Sequence, residues 1–140
     1  MDINSLERFV KAQELAYPIA LQDIKKGKKR SHWMWYIFPQ LRGLGTSTMA
    51  HKYGIVDIGE AKAYLEHPVL SARLYELCGE LLKHKDKSAN DIFGDIDAMK
   101  LKSSMTLFAL TSKEHTIFDE VLECFFDGER DATTLKLINR

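Results

Sequence analysis

The chain has 140 residues, of which 45% are hydrophobic and 29% charged, and its 20 Lys/Arg residues balance its 20 Asp/Glu residues. Length and composition predict one soluble globular domain over residues 1–140. The zero net charge argues against a protein that mainly coats nucleic acid or an anionic membrane. Residues 1–54 carry a net charge of +5 and residues 55–140 a net charge of −5. We favour the interpretation that the two halves attract each other within one fold over the interpretation that the charge asymmetry serves a function.

The sequence gives no sign of export or of membrane insertion. The two cysteines, Cys78 and Cys124, form no Cys-x-x-Cys motif, and Cys78 lies on an apolar helical stripe that predicts a core thiol. The first residues lack the features of a signal peptide. No apolar run approaches the roughly 18 residues of a membrane span. We therefore expect a cytoplasmic protein with no membrane partner.

The apolar residues recur with a helical period along almost the whole chain. Asn4 or Ser5 is expected to cap the first helix. Pro18 is expected to start a second helix, because a proline in the first helical turn costs no hydrogen bond. Gly27 is typical of a C-terminal cap and predicts the end of that second helix.

Ser31 is predicted to cap the next helix, which must be short because Pro39 disfavours helical geometry at Phe38. Residues 41–45 are predicted to form a loop and residues 47–53 a short helical turn. The later helix-start signals are Asp57 with Glu60, His67 before Pro68, Ser88 with Asp91, Asp95 and Asp131.

No segment shows the alternating pattern and tight turns of β-hairpins. The sequence therefore predicts an all-α fold, a single multihelical domain of about seven to nine helices, several of them short.

Residues 28–45 are the best candidate for a functional site. They set a basic run beside both tryptophans, a histidine and the pair Gly43 and Gly45. A helix that starts at Ser31 would offer free N–H groups and a positive dipole end, which attract anions. The predicted roles are anion binding by Lys29, Arg30 and Ser31, stacking by Trp33 or Trp35, ligand orientation by Gln40 and Arg42, and acid/base action by His32.

Lys100, Ser103 and Ser104 are expected to complete the same pocket if their helix packs beside residues 28–45. Their order reverses the Ser-x-x-Lys motif of hydrolases, so we predict no Ser–Lys reaction. Serines inside a helix also permit close helix packing or bond back to the preceding turn. We favour this packing interpretation for the two serines.

We predict no metal site and no cofactor. The five histidines show no His-x-x-x-His spacing, and no Cys/His quartet occurs, so a zinc site is not expected. Residues 127–131 lack the ligand spacing of an EF-hand. Gly43 and Gly45 complete no nucleotide-binding fingerprint. A lone histidine beside tryptophans, such as His32, also fits a packed and hydrogen-bonded residue.

Several motifs along the chain form a specific set: Ser31-His32-Trp33-Met34-Trp35, Phe38-Pro39-Gln40, His67-Pro68-Val69-Leu70, Lys100-Leu101-Lys102-Ser103-Ser104 and Asp127-Gly128-Glu129-Arg130-Asp131. Together they resemble an uncharacterised bacterial family, the domain of unknown function 1810. The resemblance covers nearly the whole chain and implies a multihelical single domain with no established activity. It also favours a site near His32.

Three hypotheses about function follow. The first is a small-molecule site, with or without enzymatic activity, for a phosphorylated or nucleotide-like anion at residues 28–45. The second is a protein- or RNA-binding adaptor that uses the same surface, with nucleic acid the weaker option because the net charge is zero. The third is a structural protein without a ligand. The sequence does not predict the oligomeric state.

Overall fold

The computed structural model describes residues 4–139, with side chains from Leu6 onward. The expected caps Asn4 and Ser5 therefore lie outside the residues whose side chains are described. The described part contains a 3-10 turn at Leu82–His84 and nine helices: α1 (Asn4–Lys26), α2 (Met34–Ile37), α3 (Thr48–Lys52), α4 (Ile58–Glu66), α5 (Pro68–Leu81), α6 (Ala89–Phe93), α7 (Asp95–Thr111), α8 (Ile117–Phe126) and α9 (Ala132–Ile138).

Helix α7 lies at the centre of this all-α domain. It packs against α4, α6, α8 and α9, and α5 packs against α1, α4 and α8. All seven residues 103–109 are buried, which is more than one helical turn, so neighbours surround α7 on every side. The predicted fold class and the number of helices are confirmed.

Helix α1 continues through Pro18 as one helix, so the prediction of two separate helices was wrong. Phe9, Gln13, Ala20 and Ile24 are all buried and recur at helical spacing on both sides of the proline. One continuous face therefore packs against the core. Pro18 itself is exposed, so water can hydrate the carbonyl that loses its amide donor there.

Gly27 ends α1 as predicted. Its φ is +73°, a conformation that glycine adopts without steric cost. The amide of Gly27 donates to the carbonyl of Ile24 at 2.9 Å, and the amide of Lys28 donates to the carbonyl of Asp23 at 3.1 Å. These two bonds form a Schellman motif, which satisfies carbonyls that the helix end leaves open.

Most other predicted helix starts are confirmed. Ser47, Asp57, Ser88 and Asp131 each accept a hydrogen bond from the first turn of their helix. His67 does the same through Nδ1, just ahead of Pro68. These caps could be predicted from the sequence because a capping side chain and the amide that it binds lie two or three residues apart in the chain.

Two predicted starts and one predicted capping box differ from the structure. The N-cap of α2 is Trp33 rather than Ser31, and Gly94 rather than Asp95 occupies the N-cap of α7. The carboxylate of Glu60 does not close a capping box with Asp57. It accepts instead from both terminal guanidinium nitrogens of Arg8, at 3.0 and 3.2 Å. A charge-assisted bidentate pair is stronger than a local cap, and it joins α1 to α4.

The core contains the predicted thiol. Cys78 is fully buried and its sulfur lies 3.8 Å from that of Met105. Burial raises the pKa of the Cys78 thiol, so this cysteine stays protonated and packs as a small apolar residue. Across residues 4–139, no helix has the length and apolar character that a membrane crossing requires.

Candidate functional site

The segment between α1 and α2 is held by Asp23, a buried residue near the end of α1. Its Oδ2 accepts hydrogen bonds from the backbone amides of Arg30 at 3.0 Å and Ser31 at 3.1 Å, and from the indole N–H of Trp33 at 2.9 Å. Trp33 is buried in the core with 1% of its surface exposed. Within the segment predicted to bind an external anion, two backbone amides and the Trp33 indole therefore already donate to an internal carboxylate.

The charge state of Asp23 follows from these contacts. Burial by itself would raise the pKa of the Asp23 carboxyl, but the hydrogen bonds from Trp33, Arg30 and Ser31 outweigh that effect and lower it below its usual range. The group is thus a stable carboxylate at neutral pH. The helix that follows, α2, has only four residues and Trp33 as its N-cap, so Ser31 does not open the helix N-terminus that the sequence predicted.

A chain of charges and rings joins this segment to α7. Asp97 accepts from Lys29 at 2.9 Å through Oδ2 and from Lys100 at 3.3 Å through Oδ1. The ammonium of Lys29 lies 5.0 Å from the ring centroid of Trp33, and that of Lys100 lies 3.7 Å from the ring centroid of Trp35. Each tryptophan ring thus has a cation–π contact with one of the two lysines that pair with Asp97.

A hollow of about 290 Å³, here called the α7 hollow, lies beside this chain. Its apolar side consists of Trp35, Leu44, Ile96 and Met99, and its polar side consists of Gln40, Lys100, Ser103, Asp131 and Thr133. The hollow therefore brings part of residues 28–45 together with α7 and with the start of α9. That convergence is what the sequence predicted for Trp35, Gln40, Lys100 and Ser103.

The apolar rim of the α7 hollow is unusually exposed. Ile96 is 74% exposed and Met99 is 68% exposed. They lie three residues apart, so they are neighbours on one face of α7. Single exposed apolar residues are common on protein surfaces, whereas an adjacent pair beside a concave surface is typical of a contact site.

The polar groups of the α7 hollow retain bonding capacity. The Ser103 hydroxyl donates to the carbonyl of Met99 at 3.1 Å, which leaves its oxygen lone pairs for a donor. Asp131 Oδ2 accepts from the amide and the hydroxyl of Thr134, at 2.9 and 2.6 Å, so Oδ1 is the oxygen left to accept from a ligand. Lys100 supplies the positive charge.

Four of the predicted site residues lie elsewhere. Arg30 and His32 are exposed and do not line the α7 hollow. Arg42 lines a separate hollow of about 350 Å³ beside Asp57, and its buried Nε has no partner among the described residues. Ser104 is fully buried, and its hydroxyl has no hydrogen-bond partner within the described part of the chain.

The remaining predicted residues have structural contacts. Ser31 and Trp33 bind Asp23, and Lys29 is only 8% exposed beside Asp97. The back-bond of Ser103 agrees with the packing interpretation of that serine. Thr106 bonds back in the same way, to the carbonyl of Lys102 at 2.8 Å.

Sequence reasoning missed the residues that organise this region. Asp23, Asp97, Ile96 and Met99 were not named as site residues, and Asp131 was named only as a cap. For Ile96 and Met99 a signal existed, since they fall on the face of α7 opposite to Leu101 and Met105. Asp97 had a local signal, because it lies three residues before Lys100 on the same helix. Its pairing with Lys29, and the bonds of Asp23 to Arg30, Ser31 and Trp33, form only when the chain folds.

Within residues 4–139 no group of three or more His, Cys, Asp or Glu side chains is arranged to hold a metal ion. The α7 hollow combines apolar, cationic and hydrogen-bonding groups on one concave surface.

Comparison with known proteins identifies the family. The family model described as "Protein of unknown function (DUF1810)" matches residues 3–138. The chain belongs to this family. It is also similar to a solved structure, described as the crystal structure of the conserved hypothetical protein Rv1873 from Mycobacterium tuberculosis at 1.38 Å. The two chains are 42% identical and superpose with a TM-score of 0.96, and 99% of each chain is covered. No curated protein matches the chain.

The motif resemblance to DUF1810 is thereby confirmed, and the helical architecture agrees with that of a solved structure. Neither description names an activity. Any function must therefore be inferred from the site itself.

Proposed function

We propose that the α7 hollow binds a small molecule with an aromatic or apolar body and one anionic group, of the size of a nucleoside monophosphate. The observation that carries this proposal is the meeting of Trp35 and Gln40 with Lys100 and Ser103 around one concave surface. Residues from two distant parts of the chain supply an apolar wall, a cation and hydrogen-bonding groups there. This combination is typical of small-molecule sites.

The volume limits the ligand. Sites for small molecules usually measure about 300–1,000 Å³, and the α7 hollow, at about 290 Å³, falls at the lower end. A dinucleotide is too large for it, whereas a single nucleotide or a comparable aromatic acid fits. The ligand is thus a mononucleotide-sized anion.

The lining residues assign an orientation. The flat part of the ligand packs on Met99 and Leu44, where an apolar surface is exposed to water. Its anionic group lies at the ammonium of Lys100, and an N–H or O–H of the ligand donates to Asp131. A carboxylate beside a cation favours a ligand that carries both a donor and a negative charge.

The proposal is for binding, and we assign no reaction to the α7 hollow. The hydroxyl of Ser103 donates its hydrogen bond to the backbone carbonyl of Met99, so its proton is not directed at a base. Lys100 is ion-paired with Asp97, and His32 is not a lining residue. A nucleophile with an adjacent base, which covalent catalysis needs, is not part of this lining.

Calorimetry and thermal unfolding with AMP, GMP, adenosine and inorganic phosphate test the proposal. We expect the nucleotides to bind more tightly than either adenosine or phosphate alone, since each fragment reaches only one part of the hollow. A ligand at a hundred times its Kd stabilises the fold by about 2.7 kcal/mol, which is easily measured as a rise in Tm. Absence of binding by all of these compounds would contradict the proposal.

A rim variant with a matched control locates the site. Ile96→Ser/Met99→Ser removes two exposed apolar side chains, so it should leave stability nearly unchanged and weaken nucleotide binding at least tenfold. Leu15→Ser changes an apolar residue that is 86% exposed on α1 and should have no effect on binding. Equal binding by the rim variant and the wild type would refute the α7 hollow as the site.

A further inference from the structure

Two basic segments that are distant in sequence lie side by side at one end of the molecule. His84 Nε2 donates to the carbonyl of Ile24 at 2.8 Å, and Lys87 Nζ donates to the carbonyl of Gly27 at 3.3 Å. The 3-10 turn and the residues after it thus dock on the C-terminal end of α1. The polar composition of residues 83–90 is typical of a solvated linker, and no local pattern in the sequence predicts this contact.

The docking creates a concentrated positive surface. Residues 25–30 and 83–87 together contain eight Lys/Arg residues and one acidic residue, Asp86, for a net charge of +7. Since the whole chain has zero net charge, all other residues together carry −7. The basic surface, as we call it, consists of Lys25, Lys26, Lys28, Arg30, Lys83, Lys85 and Lys87, all exposed except the half-buried Lys87.

Folding explains only part of this surface. Cations at the last turn of α1, Lys25 and Lys26, are favourable against the negative helix end, and Lys87 satisfies an open carbonyl. Lys28 and Arg30 follow Gly27, and Lys85 lies on the other segment, so the end of α1 does not account for them. Assembling like charges from two segments costs free energy unless a polyanion meets them.

The acidic groups nearby leave most of the charge uncompensated. Glu80 lies 2.9 Å from Lys83, whose side chain is 69% exposed, so water screens that pair. Asp91 accepts in the capping box of α6, and Asp23 is buried beneath Arg30. Lys29 is the one cation of residues 25–30 that an acid holds firmly, through Asp97, and it is therefore not counted in the basic surface.

We propose that the basic surface binds the phosphate backbone of double-stranded nucleic acid without reading its sequence. Lysines dominate it, and lysines contact phosphates as point charges rather than recognising base edges. The tryptophans lie away from it in the core or at the α7 hollow, so the surface lacks the stacking residues that single-strand binding requires. The negative remainder of the molecule repels the polyanion elsewhere and orients it on this end.

This inference is independent of the α7 hollow, since the two surfaces share no residue. It also differs from the adaptor hypothesis based on residues 28–45, because it excludes the aromatic residues and includes residues 83–87.

Fluorescence anisotropy with a labelled 20-base-pair duplex, at 50 to 200 mM salt, tests the proposal. If the basic surface neutralises about five phosphates, the slope of log affinity against log salt is about −4.5. The affinity then falls several-hundredfold over this range. A slope shallower than about −2, or no binding at 50 mM salt, would overturn the proposal.

A charge-reversal variant and an equally charged control locate the surface. Lys25→Glu/Lys28→Glu/Lys85→Glu changes three exposed lysines of the basic surface, and Lys11→Glu/Lys62→Glu/Lys113→Glu changes three exposed lysines outside it. We expect at least a hundredfold loss for the first variant and less than a tenfold loss for the second.

Three outcomes would contradict the proposal. They are equal losses in the two variants, tighter binding to a single-stranded oligonucleotide than to the duplex, and binding to vesicles of anionic phosphatidylserine but not to nucleic acid. The wild-type salt dependence stands by itself if the triple variant fails to fold, as circular dichroism would show.

Discussion

Lys29 Nζ and Asp97 Oδ2 lie 2.9 Å apart and join the segment after α1 to the central helix α7. Asp97 also accepts from Lys100, so one carboxylate compensates two lysines that each lie over a tryptophan ring. This contact fixes residues 28–35 against α7 and determines where the α7 hollow forms. The lysine that we expected to bind a ligand is thus a positioning residue for the site beside it.

Asp97→Asn should destabilise the fold by about 1–3 kcal/mol, because it leaves Lys29, which is 8% exposed, without a charged partner. Urea unfolding monitored by tryptophan fluorescence measures this loss. Glu80→Gln serves as the control, since its partner Lys83 is largely exposed and such pairs contribute at most about 1 kcal/mol. Similar losses for the two variants would show that the Asp97 contact is merely a surface pair.

Asp23→Asn should destabilise the protein by about 2–3 kcal/mol at pH 7, because it removes the charge from an acceptor of three hydrogen bonds. The pKa of Asp23 is lowered in the folded state, where burial opposes and hydrogen bonds favour the carboxylate. Its stabilisation is therefore fully present above the unfolded pKa of about 3.9 and is lost as the pH falls through the folded pKa.

The difference in unfolding free energy between wild type and Asp23→Asn should accordingly be constant from pH 7 to pH 5 and shrink below pH 4. Asp86→Asn, at an exposed position, should show little difference at any of these pH values. A difference for Asp23→Asn that stays unchanged at pH 3 would refute the role assigned to its charge.

Two buried hydroxyls of α7 should respond to deletion in opposite ways. Ser104→Ala removes a buried hydroxyl with no partner among the described residues, so it should stabilise the fold by about 1 kcal/mol. Thr106 accepts from the amide of Asp131 at 2.9 Å, so Thr106→Val should destabilise it by about 1–3 kcal/mol. Denaturant unfolding of both variants measures the two changes in unfolding free energy. A loss of stability in Ser104→Ala would contradict the prediction.

Two glycine substitutions should also differ in sign. Gly27→Ala forces a left-handed alanine, costing about 1–2 kcal/mol, and its Cβ would lie 2.7 Å from Lys87 Nζ. Gly79 lies inside α5 with nothing within 4 Å of an added Cβ, so Gly79→Ala should stabilise the fold by about 0.5–1 kcal/mol. Thermal unfolding measures both changes in stability. If Gly27→Ala left the Tm unchanged, the Schellman motif at the end of α1 would not require glycine.

Lys100→Gln should weaken nucleotide binding at the α7 hollow at least tenfold and leave the binding of the uncharged adenosine nearly unchanged, since it removes only the anion contact. Lys102→Gln is the control on the same helix, because Lys102 pairs with Glu129 and does not line the hollow. Calorimetry measures both ligands. Parallel loss of adenosine and AMP in Lys100→Gln would instead indicate that the variant disturbs the hollow itself.

The sequence predicted local features well. Gly27, His67, Ser88 and Asp131 were all read correctly as helix ends, because each acts on amides or carbonyls within a few residues of itself. Pro18 was misread, since tertiary packing of the α1 face outweighs the local preference of proline for a first turn. Ser31 was misread as well, because its amide is held by a carboxylate eight residues earlier and the helix begins only at Met34.

The candidate site was predictable only in part. Trp35, Gln40, Lys100 and Ser103 were named from their chemistry, and they do meet at one hollow. Arg30, Arg42 and His32 were named on the same grounds, yet they lie outside it. Residue type indicates what a side chain is able to bind, whereas the direction in which it points depends on the packing of its helix.

By itself the sequence determined the all-α class, most of the helix boundaries and the family, because helical period, caps and motifs are properties of short segments. Only the tertiary structure decided which charges meet. It placed Asp23 against Arg30, Ser31 and Trp33, Asp97 between Lys29 and Lys100, and residues 83–87 against the end of α1. Hydrogen bonds and ion pairs act over a few ångströms in space, and the chain order does not specify those distances.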